Sequence, residues 1–220
     1  MDDRSGLDHC RRKDHVAERN NVKERILRAA AELFMEQGFA GTTVREIGER
    51  AGVGQSSLYH HARSKGQLLR ELHAHQAQEL IELLEQVVSR DASPTIQLRG
   101  VINAFLSVVH THRPVVTVYL RESHALSEDA REEVNHERHK VDSMVESILR
   151  RGLESGEFRP DLDIRLTRLA ILGMCNWSYQ WYRPDGPQGM EEISEYFADL
   201  AVQGVLASRS PDPQMAARPS

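Results

Sequence analysis

Residues 43–61, Thr43-Val44-Arg45-Glu46-Ile47-Gly48-Glu49-Arg50-Ala51-Gly52-Val53-Gly54-Gln55-Ser56-Ser57-Leu58-Tyr59-His60-His61, decide how this chain is read. Thr43 and Glu46 stand three apart, a capping box in which each side chain satisfies an exposed amide of the other at a helix start. The helix they open is short, because Ala51-Gly52 ends it and a second short helix begins near Gln55. A glycine-bearing turn lets two helices cross steeply, so the second projects from the body and can enter a major groove. Apolar Val44, Ile47, Ala51, Val53 and Leu58 are placed to lock that crossing. The outward positions of the second helix carry Gln55, Ser56, Ser57, Tyr59, His60 and His61, groups suited to base edges and phosphates. The pattern alone fits two structures, an ordinary corner between helices or a helix-turn-helix that reads DNA.

Outward from this segment, almost every periodic stretch reads as helix and none as strand, which makes the chain all-α. Residues 1–20 are polar and charged, with Arg11, Arg12 and Lys13 clustered, and are expected to form a flexible basic arm. A first helix is predicted over 21–37, with Ile26, Leu27, Ala30, Leu33 and Phe34 on one face and Gly38 as its stop. Ser64-Lys65-Gly66-Gln67 is a second capping box, opening a long helix to about residue 89. Later punctuation is also helical: Ser93-Pro94, Arg113-Pro114, Ser127-Glu128-Asp129, Gly156 with Pro160, and the break Arg183-Pro184-Asp185-Gly186-Pro187. Helices are expected near 162–182 and 190–208, and the Pro-bearing tail 209–220 as disordered. Residues 21–66 thus form a three-helix unit and residues 67–208 a six-helix body.

Composition restricts the function classes. Apolar residues make up 40% and charged residues 28%, values of a globular chain. No apolar run approaches the roughly 20 residues that span a bilayer, and the polar start Met1-Asp2-Asp3-Arg4 is not a signal peptide, so a cytoplasmic protein without a membrane partner is expected. Cys10 and Cys175 lack CxxC spacing and read as reduced thiols. The net charge of −5 is uneven. Residues 1–70 hold 13 Lys and Arg against 10 Asp and Glu, or +3, leaving −8 for the rest. A basic unit on an acidic body suits a protein that offers one end to a polyanion.

The stretch from Ile26 to Leu69 resembles the N-terminal domain of the TetR/AcrR family of transcriptional regulators. The match runs in order through A-x-x-L-F at Ala30–Phe34, G-F at Gly38-Phe39, T-T-V-R-E-I at Thr42–Ile47, A-G-V at Ala51–Val53, L-Y at Leu58-Tyr59 and S-K-x-x-L at Ser64–Leu68. The resemblance implies that Thr43 and Arg45 grip phosphate or an adjacent base. It implies that Gln55, Ser56, Tyr59 and His60 face bases and backbone, and that Lys65 holds phosphate. Ala62 departs from the bulky aromatic usual in the family and puts the local hinge packing in question. A homodimer on a palindromic operator follows from the same resemblance, since one recognition helix reads only a half-site.

In this family the last two helices form the dimer interface. Leu166, Leu169, Ala170, Gly173, Met174 and Trp177 supply a matching stripe, although burial within one chain would use the same pattern. A chain with only 5% aromatics gathers Trp177, Tyr179, Trp181 and Tyr182 into six residues beside Arg183-Pro184. That passage reads either as helix-end packing or as a pocket wall, with stacking faces and a guanidinium for an anionic ligand. It is similar to a TetR subgroup controlling fatty-acid, phenylacetate or sterol-ring breakdown, whose members are commonly de-repressed by acyl-CoA thioesters. The resemblance implies a small-molecule effector of that class and no required cofactor. Arg121, Arg168, Asn176, Trp177, Trp181 and Arg183 are the candidate contacts. His136 and His139 lie on a highly charged helix face that reads as solvated, so no metal site is assigned and a metal-responsive regulator is the lesser alternative. No G-x-S-x-G, phosphate loop or HExxH supports an enzyme.

Overall fold

The structure is a computed structural model that describes residues 4–122 and 128–207. The tail expected at 209–220 and the first three residues of the expected arm lie outside the described residues. Among the described residues the chain forms nine helices: α1 (Arg4–Gly41), α2 (Val44–Ala51), α3 (Gln55–His61), α4 (Lys65–Ser89), α5 (Pro94–Thr111), α6 (Arg113–Glu122), α7 (Glu128–Glu154), α8 (Ile164–Trp181) and α9 (Met190–Val205). No strand is found among them, only an isolated antiparallel bridge between Phe158 and Leu206. The all-α, three-plus-six arrangement expected from the sequence is the one observed. Helical backbone covers positions 4–20 as well, ahead of the start expected at residue 21, and Gly38 (φ 77°, ψ 163°) interrupts α1 where a stop was expected.

The chain folds as two compact units. One contains the residues up to Ala77 together with His112–Val134, the other Gln78–Thr111 and the residues from Asn135 onward. The first unit therefore reaches beyond the boundary at residue 66 drawn from the motifs. The reason is packing: Leu68, Leu69 and Leu72 of α4 are buried in the same cluster as Ile26, Ala30, Leu33 and Phe34 of α1, Ile47 and Ala51 of α2, and Leu58 of α3. Val118 of α6 and Val134 of α7 close that cluster. Ala62, the position that departs from the family pattern, is fully buried there.

In the second unit α5 is buried along most of its length, through Leu98, Val101, Ile102, Phe105, Leu106 and Val109, and packs on α8 and α9. Gln97 is fully buried, and its amide donates to Val88 O (3.2 Å) and Arg90 O (2.9 Å), carbonyls that the end of α4 leaves open. The inward face of α8 carries Ile171, Leu172, Cys175, Ser178 and Tyr179, and Asp163 caps the helix by accepting from Leu166 N at 2.8 Å. Leu200 and Gly204 of α9, expected to be buried, are exposed, while Ile193 and Ala201 on the opposite face are buried.

Candidate nucleic-acid interface

The start of α2 is built as the sequence predicts. Thr43 Oγ1 accepts from Glu46 N (3.2 Å), while Glu46 Oε2 accepts from Thr43 N (2.8 Å) and from Thr43 Oγ1 (2.8 Å). The Thr43 hydroxyl beside it, joined by the Thr43 amide, holds the Glu46 carboxyl below its ordinary value. The far end of α2 terminates at Gly52, whose left-handed backbone (φ 63°, ψ 40°) is open to glycine and costs any other residue strain. Arg25 of α1 reaches across to donate to Ala51 O and, at 2.9 Å, to Gly52 O. Arg50 clamps the same helix to α1 with both guanidinium nitrogens on Glu36, at 3.1 and 2.9 Å. Neither clamp has a local signature, because the partners lie 14 to 27 residues apart.

On this frame α3 buries only Leu58 and presents its other face. Gln55, Ser56, Tyr59 and His60 are all exposed, Tyr59 by 55%. The structure thus brings four of the predicted reading residues onto one surface. Arg45 is exposed beside them in chain order and pairs with Glu49 four residues on at 2.9 Å. An exposed pair of this kind is worth less than about 1 kcal/mol, so phosphate can displace it. The Thr43 hydroxyl spends its proton on Glu46 and must release it to donate elsewhere.

Lys65 differs from its expected role. Its ammonium donates to Phe39 O (2.7 Å), Ala40 O (3.1 Å) and Thr42 O (3.1 Å), and lies 4.7 Å from the Phe39 ring centroid. All three of its protons are engaged at carbonyls.

Comparison with known proteins fits this geometry. The family of bacterial regulatory proteins named tetR matches residues 26–72, and the tetracyclin repressor-like C-terminal domain matches residues 91–205. The chain belongs to the TetR family. It is 32% identical over 187 residues to the transcriptional repressor KstR2 of Mycobacterium tuberculosis, covering 84% of this chain and 94% of that protein. The structure of that ketosteroid regulator superposes with a TM-score of 0.79 at 30% identity, over 84% of this chain and 95% of the other. The fatty acid metabolism regulator protein of Bacillus subtilis is 27% identical over 184 residues, 82% of this chain and 93% of that one. AibR, solved with isovaleryl coenzyme A and operator DNA, aligns at TM-score 0.73 and 26% identity over 81% of this chain and 97% of that chain. This TetR-family protein is accordingly a DNA-binding transcriptional regulator, and its relatives are regulators and not enzymes. Among the described residues no helix is long and apolar enough to cross a membrane.

The residues expected to hold an effector of this TetR-family regulator are not brought together. Arg168 is mostly buried and faces Asp142 and Glu146 of α7, with Nε 2.9 Å from Glu146 Oε1, so its charge is already matched within the chain. Trp177 and Trp181 are 62% and 45% exposed, and Asn176 and Arg183 are exposed as well. The aromatic passage divides by helical period: its tryptophans point outward, and Tyr179 and Tyr182 point inward. Tyr182 closes on His110 of α5, with Oη 2.6 Å from Nδ1. Trp181 packs on Phe197 of α9, ring centroids 6.1 Å apart.

Arg121 falls on a different and more informative stripe. On α6, Arg113, Thr117 and Arg121 follow one another at intervals of four, and Arg113 Nε and Thr117 Oγ1 are buried without a hydrogen-bond partner. Gln76 Oε1 of α4 is in the same condition, and His73 one turn before it is buried. The ring of His75 meets that of His112 at 6.2 Å, which places this part of α4 against the start of α6. Sequence reasoning missed Arg113, Thr117 and Gln76. Their signal, polar groups on otherwise apolar helices, becomes informative only once burial is known.

Proposed function

We propose that this regulator is a cytoplasmic, homodimeric repressor that leaves a palindromic operator when an acyl-CoA thioester or a ligand of similar chemistry binds the helices of residues 67–208. The observation that carries the reading is α6. One of its stripes, with Val118 and Val115, packs into the cluster that supports α2 and α3. Another, with Arg113 and Thr117, holds buried polar atoms that lack partners. Such atoms are costly unless a ligand or water satisfies them, so an effector that engages them acts on a helix already joined to the reading unit. The resemblance to KstR2 and to AibR supports a CoA thioester as the effector class.

In this reading Arg45 and Thr43 meet phosphate, and Gln55, Ser56, Tyr59 and His60 meet base edges and backbone. The dimer forms through α8 and α9. Leu166, Leu169, Ala170, Gly173 and Trp177 make an exposed stripe on α8, Leu166 being 60% exposed, and Tyr196 and Leu200 are exposed on α9. An open apolar groove of about 270 Å³ between the two helices, lined by Ala170, Met174, Leu200 and Gly204, suits side chains of a second copy. Trp177 and Trp181 then belong to or border the subunit contact and not the effector site.

The test is fluorescence anisotropy with DNA from upstream of the protein's own gene, titrated with palmitoyl-, phenylacetyl- and steroid-derived CoA thioesters and with each free acid. Release by a thioester and not by its acid is the expected result. If no thioester alters binding, the acyl-CoA assignment fails.

A further inference from the structure

We infer that Lys65 is a positioning residue for the operator-reading helices and not one of their phosphate contacts, an inference that rests on the DNA-reading assignment. The last turn of α1 contains no basic residue, although its terminal carbonyls carry partial negative charge. Lys65 supplies that charge from the first turn of α4, donating to Phe39 O and Ala40 O at 2.7 and 3.1 Å. Its third bond, 3.1 Å to Thr42 O, falls on the residue immediately before the N-cap of α2. Thr42 is itself buried and donates through Oγ1 to the Gly38 and Leu33 carbonyls, at 2.8 and 3.3 Å. The Gln37 amide spans Thr42 Oγ1 and Glu46 Oε2, both at 3.4 Å.

Lys65 is therefore the point at which α4 holds the link between α1 and α2, from which Thr43 and Arg45 emerge. An ammonium has three protons, and all three are used here. A phosphate oxygen gains one only by displacing a carbonyl that then loses its cation. The more consistent role is mechanical: a displacement of the α4 N-terminus pulls on Thr42 and so on the cap of α2. Through that cap it resets the side chains that meet DNA.

The discriminating variant keeps the charge. Arginine is at least as good a phosphate ligand as lysine, but its planar fork cannot converge three N–H groups on three carbonyls around one nitrogen. K65R and K65M are compared with the wild-type dimer by thermal melting and by anisotropy titrations of upstream DNA across a range of salt. Positioning predicts that both variants melt at least about 3 °C lower. It also predicts operator binding at least tenfold weaker, with the wild-type slope of log Kobs against log salt. A phosphate contact predicts the reverse: K65R retains affinity and melting temperature, and K65M loses about 0.9 of salt slope per subunit without loss of stability. Either of those results overturns the inference.

If both variants fail to fold, the wild-type protein still decides. Its Lys65 ammonium nitrogen keeps its chemical shift when operator is added, whereas a scalar coupling to a phosphate phosphorus contradicts positioning. Failure of the wild-type protein to bind any upstream DNA overturns the DNA-reading assignment separately, and the melting curve of K65R then still tests the clamp.

Discussion

Leu58 of α3 lies so close to Gly48 of α2 that a Cβ added to Gly48 would stand 2.5 Å from Leu58 Cδ2. Leu58 is buried, so its side chain has no free space into which to withdraw. Gly48→Ala gains up to about 1 kcal/mol of helix propensity and loses about 1–3 kcal/mol to overpacking. The expected net result is a less stable reading unit with α3 displaced. Differential scanning calorimetry should show a lower melting temperature, and operator affinity should fall while the protein remains dimeric.

Arg168 offers a contrast between stabilising the fold and binding an effector. Its side chain is 13% exposed between Asp142 and Glu146. Arg168→Ala strands two carboxylates, and removing one partner of a buried pair costs about 3–5 kcal/mol, less here because both acids keep some contact with water. Melting temperature should fall clearly. Thioester affinity of the folded fraction, measured by calorimetric titration, should match the wild type within about twofold, since Arg168 is the partner of α7 and not of a ligand.

The capping box gives the reading unit an acid-sensitive joint. The Thr43 hydrogen bonds depress the Glu46 carboxyl, and the Arg50 guanidinium depresses that of Glu36. A carboxyl lowered in the folded state contributes stability that is complete above its unfolded value and is lost as pH falls through its folded value. Glu46→Ala should therefore melt below the wild type at pH 7. The gap should close as pH is taken below the ordinary carboxylate range. A gap independent of pH would contradict the hydrogen-bond account.

Cys175 is fully buried, and burial pushes its thiol up to about 12. It stays protonated at pH 8 and is a poor nucleophile there. Iodoacetamide labelling followed by peptide mass spectrometry should leave Cys175 unmodified in the native protein and modify it in denaturant. Labelling under native conditions at the rate of a free exposed thiol would contradict the packing of α8.

Much of the reading unit was legible because its signals are local. The Thr43–Glu46 box, the Gly52 turn and the apolar spacing of Ile47, Ala51 and Leu58 each act within a few residues, and α2 and α3 fall where they place them. The clamps that hold the unit together were not legible. Arg25 on Ala51 and Gly52, Arg50 on Glu36, and Lys65 on Phe39, Ala40 and Thr42 join residues 14 to 27 apart. A basic residue on an exposed face looks the same in sequence whether it meets phosphate or a helix end. The passage from Trp177 to Tyr182 failed for another reason. Clustering drew attention to its aromatics as one group, but the helical period sends Trp177 and Trp181 to one face and Tyr179 and Tyr182 to another. Followed from Ile171 through Cys175, the same period leads to Tyr179 and Tyr182, the residues that are buried.

The central claim is that the exposed face of α3 reads operator DNA, and Tyr59, 55% exposed and remote in sequence from the α8–α9 surface, tests it most directly. The measurement is a gel shift of wild-type and Tyr59→Ala protein on DNA from upstream of the gene, with sedimentation velocity on the same samples. The expected result is a wild-type complex that weakens steeply with salt. Tyr59→Ala should form no specific complex and sediment as the wild-type dimer does. A Tyr59→Ala protein that shifts the same DNA with wild-type affinity would contradict the assignment of α3 as the reading helix.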